Sequence, residues 1–138
     1  MDHLTHINPP TLSNSLTVGY SQVVVAKPGK LVFVAGQVGW DTNGAMAGDA
    51  SFAAQVRKAL ENVGIALKEA GASGDDIVLL KYFIVGLDRD RVAELSAAIR
   101  ESALFDYDHP PTGTVVGVEK LARGQLLVEI EATAVIPD

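Results

Sequence analysis

The segment Ile77–Val85 reads IVLLKYFIV, with Lys81 as its one charged residue. Aliphatic, β-branched and aromatic residues favour strands, and an apolar run of this length is typical of a strand in the interior of a sheet. We therefore predict a central strand that is buried on both sides for much of its length.

A helix is predicted before this strand. Apolar residues recur at intervals of three and four positions between Phe52 and Ala70, which places them along one face of a helix. Asp49 or Ser51 can cap the beginning of the helix through a side-chain oxygen, and Gly71 suits its end. This helix therefore presents one apolar face for packing.

A second helix is predicted after the strand. Asp88 offers an N-cap, and the helical pattern continues to about Ala103. The spacing of Val92, Leu95 and Ile99 predicts that they form the inner face of this helix.

Two strands are predicted before the first helix. Segments 20–26 and 31–38 flank the turn pair Pro28-Gly29, and we predict that they form an antiparallel hairpin. Asp41–Gly44 is a second turn signal, around which a weak short strand is possible.

The chain closes with two more predicted strands, at 114–118 and 126–135. In the second of them, Val128 and Ile130 share one face while Glu129 lies on the other. This alternation predicts a strand with one buried and one polar face.

The element order ββ(β)αβαββ predicts an α+β fold in which two helices cover one face of a single mixed sheet. Residues 1–14 contain two prolines and several small polar residues, and are expected to form a flexible N-terminal arm. Residues 15–138 are expected to form a single domain. The strands are too apolar for the second face of the sheet to be fully exposed to solvent. We therefore expect further copies of the chain to cover that face.

Composition narrows the functional classes. The chain has 17 acidic and 11 basic residues, a formal net charge of −6 at pH 7, whereas proteins that bind nucleic acid usually carry a basic patch. Cysteine is absent, which excludes disulfides and thiolate chemistry. The N-terminal residues lack the apolar core of a signal peptide, and no apolar run could span a bilayer. We therefore expect a cytoplasmic protein without a membrane partner, and nucleic acid is a poor match as its main partner.

Several segments between Tyr20 and Val135 resemble the RidA/YjgF family, whose members were formerly labelled endoribonucleases or translation inhibitors. The order and spacing of these segments carry the resemblance more than any one of them does. They are Tyr20–Gln22 (YSQ), Ala35–Gln37 (AGQ), Gln55–Val63 (QVRKALENV), Ala70–Ser73 (AGAS), Pro110–Thr114 (PPTGT) with Val118, and Leu127–Ala132 (LVEIEA).

The resemblance implies a chorismate-mutase-like subunit that forms a homotrimer with ligand clefts at the subunit interfaces. Active members hydrolyse reactive enamines and imines, such as 2-aminoacrylate, to a keto acid and ammonia, and they use no metal or organic cofactor. The expected partners are therefore further copies of the chain and a small-molecule ligand.

One departure from the family pattern concerns the substrate carboxylate. Family members hold it with an arginine in a Pro-x-Arg-Ser/Thr segment, which aligns with Pro111–Thr114 and places Gly113 on the arginine. A bidentate guanidinium–carboxylate pair is a strong recognition element, and glycine offers only its backbone N–H. Deamination of a simple 2-imino acid is therefore not expected. The family serine before Gly36 is Ala35 here, a second loss of polarity.

The resemblance assigns catalytic roles to Glu129, which would direct water, and Tyr20, which would line the cleft. It also places Gly36 and Gln37 at the ligand. Each assignment has a structural alternative: Glu129 as an exposed strand carboxylate, Tyr20 as a half-buried aromatic, and Gly36 as a bulge or close strand crossing.

The segment around Gly113 supplies the remaining candidates. Thr112 and Thr114 flank Gly113, and their hydroxyls can bind a ligand or can satisfy a loop that follows two prolines. His109 is a further candidate because it forms a small polar cluster with nearby aspartates. No histidine or acidic residue has the spacing of a metal site.

Three functions remain open from the sequence. The first is a Rid-type trimer that binds a small metabolite and hydrolyses an enamine or imine. The second is a trimer that binds a metabolite without catalysis. The third, an RNA-cleaving or translation-inhibiting role, would need basic surface and a general acid–base pair, for which His109 is the lone candidate.

Overall fold

The computed structural model describes residues 3–138. Two helices and six strands form its framework, together with short 3₁₀ turns at Ser15–Val18 and Gly74–Asp76. In chain order these elements are β1 (Leu4–Ile7), β2 (Val23–Ala26), β3 (Gly29–Gln37), α1 (Phe52–Glu69), β4 (Ile77–Val85), α2 (Arg89–Ser102), β5 (Thr112–Val118) and β6 (Val128–Pro137).

The main sheet has four strands in the order β3-β6-β4-β5. β4 and β5 run parallel while the other neighbouring pairs are antiparallel, which makes the sheet mixed. Both helices pack on one face of it. The predicted α+β fold, with two helices on one face of a mixed sheet, is confirmed.

Both helices begin at the residues that the sequence indicates. The Ser51 hydroxyl accepts a hydrogen bond from the Ala54 N–H, and the Asp88 carboxylate accepts one from the Arg91 N–H. These bonds satisfy N–H groups that the first turn of a helix leaves without an intrahelical partner. The inner face of α2 begins one turn later than predicted, because Leu95 is buried whereas Val92 is 39% exposed.

β4 lies between β5 and β6, as expected of a central strand. Its residues Leu80, Tyr82 and Ile84 are at most 5% exposed and face the helices, whereas Lys81 and Phe83 are only partly buried. In the single chain β4 is therefore buried on one face only, because the helices cover only that face. The prediction that β4 is buried on both sides is wrong. Along β6 the predicted alternation of buried and partly exposed residues is confirmed.

The predicted hairpin is wrong. β3 pairs with β6 along nearly its whole length, and β2 pairs instead with β1 in a separate two-stranded sheet. The chain bends at Pro28, but β3 finds its partner elsewhere, in a ladder with β6 that runs from Pro137 to Ile130. In this chain the pairing of β2 and β3 is therefore not set by their proximity in the sequence.

The expected loose attachment of the N-terminal arm is corrected for its first described residues. Leu4–Ile7 is strand β1, and Leu4 is 7% exposed. The buried His3 ring lies 2.9 Å from the carbonyl oxygen of Val135 and 3.0 Å from the carboxylate of Asp76. Backbone pairing and these polar contacts together tie this segment to the domain.

The sheet face opposite the helices, hereafter the open face, is partly apolar in the single chain. Phe33 is 75% exposed and Leu31 is 62% exposed on β3, and Val116 is 38% exposed on β5. Lys81 and Glu131 lie among them as an ion pair at 3.9 Å. No helix within residues 3–138 has the length and apolar character needed to cross a membrane.

Candidate functional site

Glu129 lies on β6, on the open face, directly against the backbone of Gly36 on β3. The register of the two strands shifts between Val34 and Gln37, so Gly36 falls in a bulge. A Cβ atom at position 36 would lie 2.6 Å from Cδ of Glu129, so a side chain there would displace the carboxylate. The bulge interpretation of Gly36 is therefore confirmed, and a role of this residue at a ligand stays a prediction.

A surface groove of about 460 Å³ adjoins this pair and is lined in part by Gly36, Gln37 and Trp40. The Gln37 amide donates a hydrogen bond of 3.0 Å to the Ala35 carbonyl. Asn62 on α1 donates to the carbonyl groups of Val38 and Trp40 at 2.9 and 3.0 Å. These bonds hold the chain that leaves β3 against α1.

Tyr20 lies over Gly113 at the opposite edge of the sheet, and Ser21 holds it there. The Ser21 N–H donates to the Pro111 carbonyl at 2.8 Å, and its buried hydroxyl donates to the Pro110 carbonyl at 2.6 Å. A Cβ atom at position 113 would lie 3.2 Å from Cβ of Tyr20, closer than side chains normally approach. Glycine at position 113 therefore permits this close packing.

Beside Tyr20 and Gly113 is a cavity of about 370 Å³ between β5 and α2, hereafter the β5–α2 cavity. Its lining is uncharged. The residues are Val18, Gly19, Tyr20, Tyr82, Val92, Leu95, Ser96, Ile99, Gly113, Thr114 and Val115.

The threonines beside Gly113 differ in their surroundings. The Thr112 hydroxyl donates a hydrogen bond of 2.6 Å to the Val78 carbonyl, so it satisfies a backbone acceptor of the neighbouring strand. Thr114 is exposed and lines the β5–α2 cavity. A ligand contact from either residue stays a prediction.

His109 belongs to a different pocket, of about 470 Å³, which it lines with His6, Asp75 and Asp106. Its Nδ1 lies 2.9 Å from the Asp106 carboxylate, and its ring meets that of His6 edge-on at 5.8 Å. The pKa of Asp106 is lowered, first by the hydrogen bond from His109 and then by one from the Asp108 N–H. Within residues 3–138 no three acidic or histidine side chains are arranged to hold a metal ion.

The predicted site residues therefore form two groups within one chain. Gly36, Gln37 and Glu129 lie on β3 and β6, whereas Tyr20, Gly113 and Thr114 lie at β5. Two strand spacings separate Glu129 from Gly113, so the two residues are at least about 10 Å apart across the sheet. Gly113 also faces the helices while Glu129 is on the open face. One chain thus presents two half-sites that cannot together enclose a small ligand.

No basic side chain takes the place of the absent arginine in the cavity lining within residues 3–138. Lys81 is paired with Glu131 on the open face. Arg91 donates to the Val85 carbonyl and lies over the Phe52 ring, and Arg100 lies 4.2 Å from the centre of the Tyr107 ring.

Three residues that sequence reasoning missed complete the second half-site. Tyr82 is 5% exposed and closes the floor of the cavity, and Ser96 lines its α2 side. Ser21 is 1% exposed and anchors Tyr20. The polar residue Ser96 follows the inner-face position Leu95, and this pattern could have indicated the cavity. No feature of the neighbouring sequence indicates Ser21 or Tyr82.

Comparisons with known proteins show the family and the fold of this chain. The family model described as Endoribonuclease L-PSP matches residues 12–136. The RutC family protein YjgH of Escherichia coli is 32% identical over 129 residues, which are 94% of this chain and 93% of that protein. The crystal structure of YyfB, a Rid family protein from Yersinia pestis, has a TM-score of 0.89 and 34% identity, and the match covers 97% of this chain and 99% of that one.

TdcF of E. coli, solved with bound serine, has a TM-score of 0.66 and 30% identity over 80% of this chain and 84% of that one. The family model, the curated relative and the solved structures all span most of the chain. This chain therefore belongs to the RidA/YjgF family.

Proposed function

We propose that this chain forms a cytoplasmic homotrimer that binds a small metabolite in clefts between subunits and hydrolyses an enamine or imine there. An enamine first tautomerises to the imine. Water then adds to the carbon of the C=N group, the proton that it loses passes to the nitrogen, and the C–N bond breaks to release a carbonyl compound and ammonia. Glu129 directs the water, while Tyr20 and the backbone groups of Gly36 and Gly113 orient the ligand. The reaction needs no metal or organic cofactor.

The observation that carries this proposal is the contact between Glu129 and Gly36. This contact holds a carboxylate on the sheet face that the helices leave uncovered, where a second chain can bring a ligand and a water molecule against it. A carboxylate in such a position can accept a proton from water while backbone N–H groups hold the developing charge.

The division into half-sites supports assembly. Glu129 and Gly113 lie on opposite faces of one sheet, so a cleft that contains both needs a second chain. The open face supplies the contact surface, because Phe33 and Leu31 are more than half exposed in the single chain. Exposed apolar surface of this kind is typical of a protein–protein interface.

Glycine at position 113 makes the proposed cleft a poor match for a ligand with a carboxylate. Without a guanidinium group, a carboxylate of a 2-imino acid would lose its bidentate partner. TdcF, which is similar to this chain, was solved with serine, an amino acid. The ligand of this chain is therefore proposed to differ from a simple 2-imino acid.

A second candidate function is a trimer that binds a metabolite without turning it over. It is favoured by the loss of two polar groups that the family pattern carries, at Ala35 and Gly113. This candidate predicts ligand-dependent thermal stabilisation without any ammonia release.

RNA cleavage has less support. The chain carries a formal net charge of −6 at pH 7, and the contacts of His109 are with Asp106 and His6 rather than with Tyr20 or Glu129. RNA binding that weakens steeply with salt, together with cleavage lost in a His109→Gln variant, would favour this role instead.

The test measures ammonia release from imines and enamines generated in place by amine and amino-acid oxidases and by a lyase that forms 2-aminoacrylate. Glu129→Gln is expected to lower turnover at least about ten-fold, because an amide cannot take a proton from water. Glu131→Gln is the matched control, since Glu131 lies on the same strand and face but pairs with Lys81.

Equal turnover in wild type and the Glu129→Gln variant would exclude the catalytic role of Glu129. Absence of turnover with every substrate, together with ligand-induced stabilisation, would favour the second candidate. Efficient turnover of 2-aminoacrylate by the wild type would contradict the inference drawn from Gly113.

A further inference from the structure

The lining of the β5–α2 cavity contains no charged side chain. Its walls are built by Leu95 and Ile99, which are 2% and 5% exposed, and by Val92 and Val115. Apolar walls of this kind gain free energy when a ligand displaces water from them.

The polar side chains Tyr20, Tyr82 and Ser96 of the lining carry hydroxyl groups, and none of them is charged. Burial raises the pKa of Tyr82 above its usual value, so its hydroxyl stays protonated and neutral at physiological pH. Such groups can hydrogen-bond an amide, carbonyl or hydroxyl of a ligand, but they do not neutralise an ionised carboxylate.

Two basic side chains of α2 are engaged away from the cavity. Arg91 and Arg100 both lie on α2, the helix that forms one wall, yet Arg91 contacts Val85 and Phe52, and Arg100 lies over Tyr107. A carboxylate in the cavity would therefore be desolvated without a charged partner, which is costly.

We infer that the β5–α2 cavity receives an uncharged, apolar end of the ligand, a branched aliphatic or phenyl group next to a neutral hydrogen-bonding group, and excludes a carboxylate. This inference rests on the proposed function in one respect, that the cavity belongs to the ligand cleft. The volume of about 370 Å³ lies near the lower end of the range for small-molecule sites and suits a group of this size.

The test compares two probes with the same branched body, isovaleramide and isovalerate, by calorimetry or ligand-observed NMR on the full-length protein. Isovaleramide is expected to bind at least about ten-fold more tightly at neutral pH. Equal or tighter binding of isovalerate, or no binding of isovaleramide at millimolar concentration, would overturn the inference.

A charge introduced into the wall should reverse this preference. Ser96→Arg places a guanidinium group beside the cavity and is expected to raise the affinity for isovalerate about ten-fold relative to isovaleramide. Ala97→Arg is the matched control, because Ala97 is the next residue of α2, is exposed, and does not line the cavity. It adds the same charge and should leave the preference unchanged.

If Ser96→Arg fails to fold, Val92→Arg replaces it, because Val92 lines the cavity and is already 39% exposed. The inference would be contradicted if neither cavity variant shifts the preference toward isovalerate. It would also be contradicted if Ala97→Arg shifts the preference as much as the cavity variants do.

Measuring ammonia release and probe binding side by side on the wild-type protein separates this inference from the proposed function. Probe preference without turnover supports the cavity and removes the catalytic proposal. Turnover without probe preference supports the catalytic proposal and removes the cavity inference.

Discussion

The backbone of Gly36 and the side chain of Glu129 are in such close contact that a methyl carbon at position 36 would sit 2.6 Å from Cδ of the carboxylate. The neighbouring strands β3 and β6 bring the two residues together, and the register shift in β3 places Gly36 against the carboxylate of Glu129. The conformation of Glu129, and hence any water that it directs, therefore depends on the absence of a side chain one strand away.

Replacement of Gly36 by alanine should move the Glu129 carboxylate and leave the fold in place. The overlapping atoms belong to the end of a flexible side chain, which can rotate away at little cost. We expect turnover, or affinity for the ligand of the cleft, to fall at least about ten-fold. Ammonia release and the thermal unfolding midpoint are the measurements.

Gly124→Ala is the control for that experiment, because a Cβ atom at position 124 meets no heavy atom within 4 Å. It should change neither property. Unaltered turnover in the Gly36→Ala variant would show that the Gly36–Glu129 contact has no part in function.

Phe33→Lys should weaken or abolish self-association. Phe33 is 75% exposed on the open face, and a charge there would have to be desolvated in the interface. Sedimentation velocity should show a shift from trimer to smaller species. Ala93→Lys adds the same charge to an exposed position of α2, away from the open face, and should remain trimeric. A wild-type protein that sediments as a folded single chain would contradict both the trimer and the shared clefts.

Gln55→Leu should destabilise the fold. Gln55 is fully buried, its amide donates to the carbonyl groups of Ala50 and Gln125, and its oxygen accepts the N–H of Leu127. Each buried group left without a partner costs about 1–3 kcal/mol, so we expect a loss of roughly 2–4 kcal/mol in the free energy of unfolding. Urea denaturation measures it.

Gln22→Leu is the comparison for Gln55→Leu, because the amide of Gln22 makes its hydrogen bonds to Ser13 in exposed surroundings. Its effect should stay within about 0.5 kcal/mol. Similar losses in the two variants would refute the role of Gln55 as a buried clamp.

Stability should fall on mild acidification because of His6. Its pKa is lowered from 6.5, first by burial and then by repulsion from His109. The folded state therefore holds fewer protons than the unfolded state as the pH falls through 6.5 and below, and folding loses free energy there. Above that range the contribution of His6 vanishes.

Thermal unfolding of wild type and His6→Gln between about pH 5 and pH 8 tests this relation. The variant should show a smaller drop in Tm on the acid side. Asp106 affects stability at a lower pH than His6 does. Because the hydrogen bond from His109 lowers the pKa of Asp106, its contribution to folding stability is present above its usual pKa of 3.8 and is lost as the pH falls below that value. Parallel Tm curves for the two proteins would rule out a contribution from His6.

Features that depend on near neighbours in the chain could be predicted. The caps Ser51 and Asp88 act within three residues, and the alternation along β6 follows from the geometry of a strand, so both are confirmed by the structure. The pairing of β2 and β3 could not be predicted from the turn at Pro28, because the partners of both strands lie elsewhere in the chain.

The sequence by itself determined the two helices, the apolar central strand and, through its similarity to a family, the identities of Glu129, Tyr20, Gly36 and Gly113 as candidates. Only the tertiary structure decided that Glu129 and Gly36 lie in one half-site and Tyr20 and Gly113 in another. The physical reason is that helix and strand periodicity is local, whereas the face and the neighbour of each side chain are set by strand order and register between distant segments.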